Sequence, residues 1–318
     1  MGSDKGVRGL RVCAGLAVAS LAALSPTSGT AAFSGLASPT SEWFGMLTGS
    51  KYDAVGDHKA AHGKNDLIGG ADQPLLYTYY TAASDQLNFR VRIGGSKNKD
   101  TRWSFDEVLM IALDYARVDT PGQPAGYGKV DLFIVCDTGG KSPFTGVYKA
   151  GSSSNTSPNT TSIGHISGSS VAHTAANYDF THVSPTTFDN GSYNNDIDAN
   201  GGIDGFVSFS VPLSLVSSAA NTLFEMAVGP STPVAYGVLT STESNAINGD
   251  FGGIDDRLAS AGDTQWSLLT TAPISPSAVP EPGIVFSAGA VSLCALVRRQ
   301  RKDFSRPRLI WINEQDCR

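Results

Sequence analysis

The segment Leu87-Asn88-Phe89-Arg90-Val91-Arg92-Ile93 decides the fold class of this chain. Apolar side chains occupy every second position of it, and asparagine or arginine occupies the positions between them. Successive side chains of a β-strand point to opposite faces of the sheet, so this alternation predicts a strand with one buried face. We expect its other face, formed by Asn88, Arg90 and Arg92, to meet water.

Similar short apolar runs lie on both sides of this segment, separated by clusters of Gly, Pro, Asn and Asp. Their spacing, without helices between them, predicts an all-β chain folded as an antiparallel two-sheet β-sandwich over residues 33–270, of the jelly-roll or immunoglobulin-like kind. One short helix is expected at Leu213–Ala220. The other predicted strands are Leu75–Thr81, Val108–Val118, Val130–Cys136, Phe144–Lys149, Phe206–Val211, Leu223–Val228 and Val234–Leu239.

Two polar segments predict irregular structure. Residues 150–175 are rich in Ser and Thr, which is typical of a long surface loop. Residues 271–278 are rich in Pro and Ser and are expected to form a linker after the sandwich.

Charge is distributed unevenly along the chain. The chain carries a net charge of −6, but the two ends hold ten of its 23 basic residues. Residues 33–282 contain 13 basic and 25 acidic side chains, a net charge of −12. Such an acidic middle argues against a nucleic acid or an anionic membrane surface as partner.

The N-terminal end has the layout of a signal peptide. Three basic residues precede an apolar run at Ala14–Leu24, and the small residues Thr30-Ala31-Ala32 follow it. The run is too short for a permanent membrane span. We therefore predict a signal peptide at 1–32, removed by signal peptidase after Ala32.

The C-terminal end carries three elements in a fixed order. Pro280, Glu281 and Pro282 are followed by the apolar segment GIVFSAGAVSLCALV and then by a basic cluster that includes Arg298, Arg299 and Arg301. An apolar segment of this length makes a marginal membrane helix, and basic residues after it hold that end in the cytoplasm.

This order resembles the PEP-CTERM sorting signal of exported bacterial surface proteins, here at residues 279–302. The resemblance implies recognition and processing by an exosortase, with a transient anchor in the inner membrane and a final place at the cell surface or in the extracellular matrix. A plain membrane anchor is the alternative interpretation. The tail at residues 303–318 departs from the family, whose members end soon after the basic cluster.

One loop has the spacing of calcium ligands. Asp196, Asp198, Asn200 and Asp204 occupy positions 1, 3, 5 and 9 of an EF-hand-like pattern, with glycine at position 6. Position 12 is Val207 instead of glutamate, so we expect a calcium loop between strands rather than an EF-hand. An ordinary Asp/Asn/Gly-rich connection would show the same composition.

Few other residues suggest chemistry. Cys136 lies in an apolar run, where a small buried side chain is expected, and no catalytic residue is assigned. Three tryptophans and three tyrosines offer aromatic rings for sugar stacking, although core packing is expected for most of them: Trp43, Trp103, Trp266, Tyr77, Tyr79 and Tyr80.

Three functions remain open at this point. The first is a non-catalytic structural or adhesive protein of the surface or of the exopolysaccharide matrix. The second is a protein similar to carbohydrate-binding modules, whose sandwiches have a similar succession of short strands. Such a protein would bind matrix polysaccharide. The third is a secreted hydrolase.

Overall fold

A computed structural model of the chain describes residues 35–47, 53, 66–70, 73–95, 103–117, 125–151, 154–183, 188–189, 192–193, 197, 203–254 and 264–278. The predicted signal peptide, sorting signal and C-terminal tail lie outside these residues. No helix among the described residues is both long and apolar enough to cross a membrane.

The described chain forms two antiparallel sheets of five strands each, as the sequence predicts. The first sheet has the order β1 (Phe44–Met46), β2 (Leu76–Thr81), β3 (Gln86–Ile93), β11 (Gly205–Pro212) and β8 (Tyr178–His182). The second has the order β12 (Val234–Ser241), β4 (Val108–Tyr115), β5 (Leu132–Asp137), β6 (Phe144–Ala150) and β7 (Ile163–Ala172). Two short strands, β9 (Phe188–Asp189) and β10 (Ser192–Tyr193), pair with each other, and the helices are α1 (Leu213–Phe224) and α2 (Trp266–Leu269).

The main core lies between the two sheets and follows the alternation of β3. Phe89 is fully buried, and its ring lies 5.6 Å from the ring of Phe209 on β11. The ring of Tyr236 on β12 lies at the same distance from Phe89, which joins the two sheets. Each such side chain contributes about 1.5–3 kcal/mol when it leaves water, so this layer holds the sandwich closed.

The second face of β3 is buried as well, and the prediction that it meets water is wrong. Asn88, Arg90 and Arg92 are each only 4% exposed. For Arg90 the reason is a covering segment before β1, at residues 36–43. Arg90 donates hydrogen bonds to the carbonyls of Leu36 and Ser38, and its guanidinium carbon lies 4.4 Å from the centre of the Trp43 ring.

The outer face of the second sheet is covered by residues near the C-terminal end of the described chain. Trp266 on α2 is fully buried, and its ring packs 6.1 Å from that of Phe133 on β5. Its indole N–H donates to Thr161 Oγ1 at 3.0 Å. All eight residues of β4 are buried, which includes its apolar run at 108–113 and also Asp114 and Tyr115.

The predicted strand at Leu223–Val228 is wrong. The helix predicted at Leu213–Ala220 is confirmed, but α1 continues to Phe224 and therefore takes the first two residues of that segment. It ends at Glu225, which has a left-handed conformation with φ 54° and donates its N–H to the carbonyl of Asn221. A left-handed residue at this position is a common way to stop a helix.

The prediction of a long loop at residues 150–175 is wrong for eleven of them, because Ala150 is the last residue of β6 and β7 pairs with β6 over Ile163–Ala172. Its Ser and Gly residues are tolerated because it is an edge strand with one exposed side. Gly168 has φ 76°, and Ser169 Oγ donates to the carbonyls of Ile166 and Val147 at 2.6 and 2.7 Å. This irregularity interrupts an edge that would otherwise invite pairing with another chain.

The linker predicted at residues 271–278 is packed against the sandwich. Thr271 donates its N–H to the carbonyl of Tyr236, and Ile274 exchanges two backbone hydrogen bonds with Val234 on β12. Ser277 donates to the carbonyl of Pro230 at 2.8 Å. Proline and serine in this segment reflect its position at the sheet edge. The folded body therefore ends at residue 278 and not at residue 270, the predicted boundary.

Candidate functional site

An acidic cleft with a volume of about 500 Å³ lies at one end of the second sheet. It lies where β4 begins and where β5 and β12 end. Four carboxylates line it together with one tyrosine and one histidine: Asp106, Glu107, Asp137, Glu243, Tyr148 and His165.

Local hydrogen bonds hold the loops of the acidic cleft. Thr138 Oγ1 donates to the carbonyls of Phe105 and Glu107 at 3.1 and 2.7 Å. Asp137 Oδ1 accepts the N–H of Gly139 at 3.1 Å. These bonds tie the start of β4 to the end of β5 and fix the spacing of the carboxylates that line the cleft.

A second set of bonds orders the loop after β12. The carboxamide oxygen of Asn248 accepts hydrogen bonds from Ser241 Oγ at 2.8 Å and from the N–H of Thr242 at 2.9 Å. Glu243 follows directly and donates its own N–H to Ser241 Oγ at 3.2 Å. These three hydrogen bonds hold the loop that places Glu243 at the cleft.

Tyr148 and His165 give the acidic cleft an aromatic part. The ring of His165 meets the ring of Tyr148 edge to face, with centres 4.9 Å apart. Tyr148 is buried, and this burial raises the pKa of its hydroxyl, so the phenol stays protonated. A protonated phenol and carboxylates together can exchange hydrogen bonds with a hydroxyl-rich ligand.

Within the described part of the chain, no three His, Cys, Asp or Glu side chains gather in an arrangement that would hold a metal ion. Carboxylate oxygens can instead accept hydrogen bonds from hydroxyl or amine donors.

The predicted calcium loop is described only in part. Asp196, Asp198 and Asn200 lie outside the described residues. Asp204 is fully buried, and its Oδ2 lies 2.6 Å from Arg92 Nη2. The same oxygen accepts the N–H of Ile197 at 3.2 Å. Asp204 therefore anchors the end of this loop to β3 through Arg92, a role that the sequence pattern did not suggest.

Calcium binding by this loop stays a prediction with a direct test. If Asp196, Asp198 and Asn200 ligate the ion, calcium will raise the melting temperature of the protein, and a chelator will reverse the rise. An Asp198→Ala variant should lose the shift, while Asp179→Ala, which removes a carboxylate from β8, should keep it. Equal melting curves with calcium and with chelator would contradict the prediction.

The aromatic residues proposed for sugar stacking are mostly buried, as expected. Trp43, Trp103 and Trp266 are at most 6% exposed, and Tyr77 is 7% exposed. Trp103 packs edge to face on Phe180 at 4.8 Å and donates its indole N–H to the carbonyl of Ile203. These rings therefore belong to the packing of the sandwich and do not form a flat binding platform.

Cys136 is fully buried on β5, as the sequence predicts. Its Sγ lies 3.8 Å from His173 Nε2, which also contacts Thr145 Oγ1 at 2.9 Å. Cysteine and histidine side by side suggest a nucleophile with its base, but burial raises the pKa of the Cys136 thiol well above its usual range. The thiol therefore stays protonated and unreactive.

Alkylation should show this directly. At about pH 8 a thiol-alkylating reagent is expected to leave the peptide containing Cys136 unlabelled in the folded protein, because thiolate is the reacting form. The same peptide should be labelled fully after denaturation, which is the positive control. Peptide-resolved mass spectrometry measures both, and rapid labelling of Cys136 in the native chain would contradict the assignment.

His173 couples the stability of the fold to pH. Its ring stacks on Tyr178 with centres 4.5 Å apart. Burial lowers the pKa of His173, while the nearby Asp137 and a hydrogen bond with the backbone of Phe144 partly oppose the shift. The unfolded chain therefore binds a proton at a higher pH than the folded chain does.

Stability is consequently expected to fall as the pH drops from about 7 through the lowered pKa of His173. His173→Gln removes this titrating imidazole, so the slope of unfolding free energy against pH should become shallower in that range. Ser170→Ala, an uncharged change at an exposed position of β7, should keep the wild-type slope. Urea unfolding at a series of pH values measures the effect, and an unchanged slope in His173→Gln would refute it.

Comparison of the chain with family models, with curated proteins and with solved structures found no match. Functional conclusions therefore rest on the residues themselves.

Proposed function

We propose that this chain is an exported, non-catalytic protein of the cell surface or exopolysaccharide matrix, with a structural or adhesive role. Signal peptidase removes residues 1–32, and an exosortase processes the PEP-CTERM signal at residues 279–302. Before processing, the C-terminal apolar segment holds the protein in the inner membrane.

The observation that carries this proposal is the three-part C-terminal signal. Pro280, Glu281 and Pro282 precede the apolar segment, and Arg298 and Arg299 follow it in the required order. The fold is compatible with this arrangement, because the packed body extends to Ala278, only two residues before Pro280.

The proposal is tested by changing the basic cluster. Replacement of Arg298, Arg299 and Arg301 by glutamine should leave export intact but stop C-terminal processing, so the protein stays in the inner-membrane fraction. Replacement of Arg306 and Arg308, which lie in the tail, by glutamine is the matched control and should leave sorting unchanged. Normal surface delivery of the first variant would contradict the proposal.

A second function, the binding of matrix polysaccharide, is favoured by the acidic cleft. Its carboxylates, its tyrosine and His165 suit the hydroxyl groups of a sugar chain. Pull-down of the protein with isolated matrix polysaccharide tests this alternative. Loss of retention in a Glu243→Gln variant would place the contact in the cleft, and equal retention of that variant would place it elsewhere.

A further inference from the structure

A second cleft of about 490 Å³ lies beside the C-terminal end of α1 and has a different character from the acidic cleft. We call it the α1 cleft. Six of the residues that line it carry charged, polar or aromatic side chains: Arg117, Lys149, Asp131, Asn155, Ser162 and Phe224. Its volume falls in the range of sites for small ligands.

Arg117 is held in place from two sides. Its Nε lies 3.0 Å from Asp131 Oδ1, and its guanidinium carbon lies 4.1 Å from the centre of the Phe224 ring. Asp131 is itself fixed, because it is almost fully buried and its Oδ2 accepts the N–H of Tyr115 at 2.9 Å. A guanidinium oriented in this way can present further N–H donors to a carboxylate in a defined geometry.

Lys149 supplies a second positive charge. It is the exposed residue of β6, and it pairs in register with Gly164 of β7, which also lines the α1 cleft. A side chain at residue 164 would meet the Lys149 stem at 3.2 Å, so glycine there leaves room for the lysine. The α1 cleft is thus net cationic on a domain whose overall charge is strongly negative.

The uncharged residues that line the α1 cleft determine which kind of anion fits it. Ser162 offers a hydroxyl, and Phe224 provides apolar surface. A bare phosphate or acetate ion would use only the two cations. A sugar that carries a carboxylate would use the cations for its acid group, the polar groups for its hydroxyls and the phenyl surface for its C–H groups.

We infer that the α1 cleft binds a carboxylated sugar unit, a uronic acid residue of an acidic polysaccharide. This inference deepens the proposed matrix role and rests on it for biological meaning. Sugar binding itself requires the folded sandwich and does not require that the protein be sorted to the cell surface.

The test is calorimetric titration of the purified full chain with a tetramer of mannuronate. Lys149→Glu is expected to weaken binding by about 10-fold or more, because it removes a charge-assisted contact and places a negative charge beside the anionic ligand. Lys141→Glu makes the same charge change at an exposed residue that lines neither cleft, and its affinity should stay within about 2-fold of the wild type. A neutral glucose tetramer should not bind.

Three results would overturn the inference. They are absence of binding by the tetramer, equal weakening in Lys149→Glu and Lys141→Glu, and inorganic phosphate or acetate binding as tightly as the tetramer, which would indicate a simple anion site. The sorting experiment above is read from cell fractions, so a failure of sorting and a failure of sugar binding are distinguishable.

Discussion

Replacement of Arg92 by leucine is expected to lower the free energy of unfolding by about 3–5 kcal/mol. Arg92 donates to Asp204 Oδ2 through both Nε and Nη2, at 3.0 and 2.6 Å. Asp204 is fully buried, so loss of its cation would leave a charge in a medium that solvates it poorly. Urea unfolding of the variant measures the loss.

A double variant separates the ion pair from packing. Replacing both Arg92 and Asp204 by leucine removes the uncompensated charge, so this protein should be more stable than the Arg92→Leu single variant. Lys149→Leu changes an exposed cation and should alter stability by no more than about 0.5 kcal/mol. A single variant as stable as the wild type would show that Asp204 does not depend on Arg92.

Replacement of Trp266 by alanine is the second large expected effect, again about 3–5 kcal/mol. Trp266 is fully buried, packs against Phe133 and Phe251, and donates its indole N–H to Thr161. Its removal opens a cavity and leaves the outer face of the second sheet without its largest covering side chain.

The matched control lies on the same short helix. Leu268 is 61% exposed, so Leu268→Ala should change the free energy of unfolding by no more than about 0.5 kcal/mol. Denaturant unfolding compares the two variants. Equal and small losses would mean that α2 does not cover the sheet, contrary to the packing described.

Much of the fold was predictable because strand alternation is a local signal. The period of two in β3 and the apolar run of β4 follow from the sheet geometry of each strand alone. The layers that cover the outer faces were not predictable in this way. Arg90 reads in sequence as a surface residue, and it is buried only because residues 36–43, about fifty positions earlier, lie across it.

Edge elements were missed for a related reason. The strand β7 carries few apolar residues because one of its sides faces solvent, and the segment at residues 271–274 bonds through its backbone, so neither shows an apolar period. Their composition resembles that of loops and linkers, although their backbone hydrogen bonds are those of a sheet.

The clefts were beyond sequence reasoning because each joins distant segments. The acidic cleft brings Glu107, Asp137 and Glu243 together from the ends of three different strands, and no local spacing marks them as neighbours. The α1 cleft depends on Phe224, the last residue of α1, which lies in the segment Leu223–Val228 that the sequence predicts as a strand. The predicted calcium loop and the predicted C-terminal signal are each made of contiguous residues, and only patterns of that kind can be proposed from sequence alone.

The most direct test of the proposed function is peptide mass spectrometry of the protein recovered from the cell surface, in strains with and without the exosortase. With the exosortase, the mature chain should begin at Phe33 and lack every peptide from residues 298–318. Without it, those C-terminal peptides should be present and the protein should remain in the inner membrane. Surface protein that retains residues 298–318 in both strains would contradict the proposal.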